Sequence, residues 1–220
     1  DLDRALILNP VIDLKRDPAT LALEIYRQMG ARLGISKKLV KESLNHAIDR
    51  QRQFVADMHQ QGSKILRKLD AAEAIMVVSG RPYNLYDDRL NLRLGQNLAQ
   101  IGMTALPMDF IDSRPVDLVE FPSMFWGLGA QILKTAKIVA ANENYFGLHL
   151  TNFGCGADSF IEHFYKSIMG DKAYLILELD EHSAAAGVMT RLEAYKNVIE
   201  NSMQASQLAT RLQKIHSQKR

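Results

Sequence analysis

The feature that most constrains the fold is an alternation of short apolar runs with longer stretches of helical spacing. Residues 74–79 (AIMVVS) form a compact apolar run that ends in Gly-Arg-Pro-Tyr, which predicts a buried strand running into a loop. Residues 90–101 then have helical spacing up to Gly102, and residues 103–108 predict a second strand ending in Asp109, Phe110, Ile111 and Asp112. A helix is predicted over 124–136 despite Gly127 and Gly129, followed by apolar segments at 138–141 and 146–151. An amphipathic helix through Ile168, a strand at 173–179 and a long terminal helix marked by Val188, Leu192, Tyr195, Ile199 and Met203 complete the pattern. Strands alternating with helices over short connections predict an α/β fold, a flavodoxin- or Rossmann-like parallel sheet with helices on both faces.

The first third reads differently. Residues 5–8, followed by Asn-Pro-Val-Ile, predict a short strand or extended arm, and Asp17-Pro18 opens a helix that stops near Gly34. From Leu39 to Leu69 apolar residues recur at helical spacing, with Ser36 as a plausible N-cap. The expected organisation is an N-terminal arm and helical extension over 1–72 and a flavodoxin-like domain over 73–220. The stripe of the terminal helix extends toward Leu208, Leu212 and Ile215. The chain lacks an initiator Met and is expected to be an excised segment of a longer protein.

With 220 residues, 47% of them hydrophobic, a full-sized core is affordable, and 27 basic against 25 acidic residues give no reason to expect nucleic acid or an anionic membrane as partner. The basic tail at Lys214, Lys219 and Arg220 is too short to change that. No stretch approaches the roughly 18 apolar residues of a membrane span. The single cysteine forms no internal disulfide, and a cytoplasmic location is expected.

Ligands of open α/β sheets bind beyond the carboxyl ends of the strands, so the loops at 80–88, 152–159 and 180–187 are the candidate sites. In the second, Cys155 lies between Gly154 and Gly156 at the start of a helix, whose positive end favours a thiolate able to ligate metal or attack an electrophile. The alternative is a small structural cysteine, with Asp158 or Ser159 capping the helix. In the first loop, Arg81 suits a carboxylate or phosphate and Tyr83 can stack or donate, unless Arg81 merely pairs with Asp87 or Asp88. In the third, Asp180 and His182 are candidate acid–base groups or, for His182, a metal ligand, against a plain surface ion pair. His149 reads as a strand side chain. No His-x-x-x-His or Cys-x-x-Cys spacing occurs, which argues against a self-contained zinc site.

Four separated segments in one order carry a resemblance: Gly80-Arg-Pro-Tyr-Asn84, Trp126-Gly-Leu-Gly-Ala-Gln-Ile-Leu-Lys134, Asn152-Phe-Gly-Cys-Gly-Ala-Asp-Ser-Phe160 and Asp180-Glu-His-Ser-Ala-Ala-Ala-Gly187. Together, over about residues 6–192, they resemble the 2-hydroxyacyl-CoA dehydratase D-component-like domain. That domain also forms part of the large CoA-substrate-specific enzyme activases, or acyl-CoA dehydratase activase-related proteins. The resemblance implies flavodoxin-like subdomains and iron–sulfur chemistry, in which a [4Fe-4S] cluster receives an electron from an ATP-hydrolysing activator and passes it to an acyl-CoA substrate.

Carried over, Cys155 is the candidate cluster ligand, Gly154, Gly156 and Ser159 belong to its loop, Arg81 and Tyr83 line the crevice, and Asp180 and His182 serve as proton-relay groups. A [4Fe-4S] cluster takes several cysteines and this chain has one, so the remaining ligands are expected from outside it and no cluster is expected in the isolated fragment. The implied partners are other domains of the parent chain, an acyl-CoA dehydratase or similar redox partner, and a homo-oligomer. The competing readings are a scaffold or regulatory domain that keeps the fold without a cluster, and a cysteine nucleophile with His182 as base.

Overall fold

The computed structural model describes residues 6–70 and 73–218, with side chains to residue 209. Ala5, the predicted boundary at 72, the ends Lys219 and Arg220, and the side chains of Leu212, Lys214 and Ile215 lie outside the described residues. The chain divides into two compact units, one up to Met58 and one from His59 onward.

In the first unit, residues 6–17 form an irregular arm without strand structure. The Gln28 amide holds this arm by accepting from the Val11 N–H (2.6 Å) and donating to its carbonyl (2.8 Å). Asp17 caps α1 (Pro18–Ile25) by accepting from the N–H groups of Ala19 and Thr20. The helix continues as one π turn, Tyr26–Gly30, and the chain breaks at Gly34, whose φ of +68° is left-handed. Ser36 accepts from the Leu39 N–H at 3.2 Å and opens α2 (Lys37–Lys68), as its position predicts.

The second unit is built on a four-stranded parallel sheet in the order β2-β1-β3-β4. The strands are β1 (Ile75–Gly80), β2 (Thr104–Pro107), β3 (Tyr145–Asn152) and β4 (Tyr174–Leu179). This is the start of the flavodoxin order, in which the chain reverses direction between β1 and β3. Connections run through α3 (Pro82–Tyr86) and α4 (Leu94–Gln100), then α5 (Gly127–Ala141) and α6 (Gly156–Met169), and the chain ends in α7 (Ala185–Gln218).

Strand alternation sorts the core into two layers. Met76 and Val78 pack with Leu94 and Leu98 of α4 and Val188, Leu192, Tyr195 and Ile199 of α7. Ile75 and Val77 pack with Ile132, Leu133 and Ala136 of α5 and Ile161 and Tyr165 of α6. The sheet is thus covered on both faces, as the apolar runs predict. Among the described residues, no helix is long and apolar enough to cross a membrane.

Two boundaries differ from the sequence reading. Residues 138–141, read as a separate apolar segment, are the last turn of α5, where Val139 completes the buried stripe begun by Ile132 and Ala136. Helical structure after Leu90 begins only at Leu94, because Asp87 accepts from the N–H groups of Arg89 and Leu90, and Leu92 and Arg93 take positive φ. A short apolar period cannot register such a turn.

Candidate functional site at the strand switch point

The reversal of strand order places the carboxyl ends of β1 and β3 side by side, Gly80 opposite Leu150. A Cβ at Gly80 would lie 2.8 Å from the Leu150 carbonyl oxygen, so only glycine lets the two strands stay this close where they end. Beyond them α4 packs on one face of the sheet and α6 on the other, and the loops of Arg81 and Cys155 lie at this end, where open α/β sheets have their ligand crevice.

Asp158, one turn into α6, is 0% exposed and turns inward. Its Oδ1 accepts from Arg81 Nε (3.0 Å) and Nη2 (2.8 Å), and its Oδ2 accepts from the Thr151 hydroxyl (3.1 Å). Arg81 therefore pairs across the crevice rather than with Asp87 or Asp88, the neighbours considered from sequence. Burial works against the Arg81 charge, but the hydrogen bond and charge of Asp158, followed by the Cys155 side chain, hold its pKa above the ordinary value. A guanidinium has five N–H donors in a planar fork, so engaging Asp158 through two nitrogens leaves others for a neighbour.

The Tyr83 phenol belongs to the same neighbourhood. Burial raises its pKa, while Arg81 pulls it down and Asp158 and Cys155 push it up. The structure thus brings together Arg81, Tyr83, Cys155 and Asp158, which the sequence spreads over three quarters of a hundred residues.

Cys155 is half-buried and occupies the N-cap of α6, where its side chain makes no capping hydrogen bond. Gly154 takes φ +71°, the left-handed turn that delivers Cys155 to the helix start. Added Cβ atoms at Gly154 or Gly156 would meet nothing within 4 Å, so the loop stands in open space. Neither Asp158 nor Ser159 caps the helix. Asp158 is committed to Arg81, and the Ser159 hydroxyl donates to the Cys155 carbonyl at 3.0 Å.

Beneath the crevice lies a polar layer that sequence reading did not assign. Ser79 Oγ and His149 Nδ1 are 3.1 Å apart, and the His149 ring stacks on Tyr165 at 5.1 Å. Burial lowers the His149 pKa, so the ring is neutral. Asn84 donates to Asn152 Oδ1 (2.7 Å), and Asn91 donates to the Asn84 carbonyl (2.9 Å), tying α3 to the end of β3. Asn84 closes the motif Gly-Arg-Pro-Tyr-Asn, which was the one available signal for it.

The loop after β4 is different in kind. Asp180 Oδ1 accepts from the Ser183 hydroxyl (2.7 Å) and the His182 N–H (3.0 Å), and the Ser183 bond holds its carboxyl below the ordinary range. His182 is 85% exposed in its side chain and lies 3.7 Å from Glu181. These contacts stay within the loop.

A family model described as CoA enzyme activase uncharacterised domain matches residues 2–111. The chain belongs to that family. No curated protein and no solved structure matches it. The matched span of this activase domain runs from the N-terminal arm past β2 and includes Arg81 and Tyr83, while Cys155 and His182 lie beyond it.

The donor chemistry bears on the iron–sulfur group that the resemblance implies. Among the described residues, no group of three or more His, Cys, Asp or Glu side chains is gathered for a metal ion. The crevice offers one half-buried thiol on an open loop beside a guanidinium. That suits one ligand of a cluster and does not amount to a full set of thiolates.

Proposed function

We propose that this activase-family chain takes part in iron–sulfur-mediated, ATP-coupled electron transfer to an acyl-CoA enzyme or related acceptor, with Cys155 supplying one ligand of a cluster completed outside the chain. The observation that supports this most is the convergence of Cys155, Arg81 and Tyr83 at the switch point, where open sheets bind ligands. A bound [4Fe-4S] cluster would supply one-electron chemistry.

The chain's own residues have definable parts in this reading. The thiolate of Cys155 would hold iron, and the open space at Gly154 and Gly156 would admit a bulky group beside the backbone. Arg81, fixed by Asp158, directs donors toward the sulfur, and Tyr83 shields the mouth of the crevice. Asp180 and His182 sit at the exit of the neighbouring strand as exposed groups able to pass protons. The proposed setting is the cytoplasm, and the proposed partners are further domains of the parent protein and a dehydratase-type acceptor.

A scaffold or regulatory role is the second reading. It is favoured by the Arg81–Asp158–Thr151 network, whose bonds lock the exit of β1 to α6 without any added group. Iron and acid-labile sulfide measured on the anaerobically purified full-length protein and its Cys155→Ser variant separate the two. The first reading expects Cys155→Ser to lose iron while far-ultraviolet circular dichroism and melting stay unchanged. Iron that ignores the substitution removes Cys155 from the site, and a wild-type protein free of iron leaves the scaffold role.

A further inference from the structure

We draw no further inference here: the strongest candidate, the apolar cavity of about 130 Å³ between α6 and the segment leading into α5, beside which the rings of Phe121, Phe125, Trp126, Phe160 and Phe164 meet edge-on, carries nothing because nothing in the structure shows what covers it.

Discussion

Replacing Arg81 with Met should cost more stability than replacing Asp158 with Asn, although both break one ion pair. The difference lies in what each leaves behind. Arg81→Met strands a carboxylate that is 0% exposed, with the Thr151 hydroxyl as its remaining side-chain hydrogen-bond partner among the described residues. Removing one member of a buried pair in this way costs about 3–5 kcal/mol. Asp158→Asn keeps the shape and a hydrogen-bond acceptor, and it leaves a guanidinium whose side chain is 22% exposed and can reach water. Its cost should be nearer that of a lost charged hydrogen bond, about 1–3 kcal/mol. The double variant removes the stranded charge as well as its partner, so it should be less destabilised than the sum of the singles by about 1–3 kcal/mol. Urea denaturation at pH 7, followed by far-ultraviolet circular dichroism, gives all three values. Equal losses in the single variants, or additivity within about 0.5 kcal/mol, would refute the view that Asp158 is a buried charge held by Arg81.

His149 is neutral in the fold because burial lowers its pKa from the ordinary 6.5. The unfolded chain binds the extra proton, so stability should fall as pH drops below about 6.5 and hold above it, and His149→Gln should flatten that slope in denaturation midpoints taken from pH 5 to 8. Gly80→Ala should destabilise by about 1–3 kcal/mol, because its Cβ meets the Leu150 carbonyl oxygen at 2.8 Å, whereas Gly156→Ala, with nothing within 4 Å, should be neutral or slightly stabilising by thermal melting. If Gly156→Ala melts normally yet lowers iron content, the open space at the loop serves a bound group rather than the fold.

How far the site was legible in sequence follows from the range of each interaction. Cys155, Gly154, Arg81 and Tyr83 stood out because loops after apolar runs are local features, and a single chain segment displays them. Asp158 did not, because its position one turn into α6 reads as a capping residue. Its partner is Arg81, 77 residues earlier, and no local pattern reports a pair of that separation. The partners of Ser79, Asn84 and His149 were likewise hidden, although His149 read correctly as a strand side chain and Asn84 closes a legible motif, since what a polar residue in or just after a strand meets is not known until the neighbouring strand is.

The sequence alone determined the alternation of strands and helices, the cap at Ser36, the parallel sheet with two covered faces, and the presence of one cysteine on a glycine-flanked loop. These depend on side-chain period and local hydrogen bonding, which act over a few residues. Only the tertiary structure decided that β1 and β3 lie side by side, that Arg81 crosses to Asp158, and that five aromatic rings from α6 and the segment leading into α5 join into one cluster. Strand order and inward-facing charge are settled by packing between distant segments, where the free energy of burying a surface depends on what it is buried against.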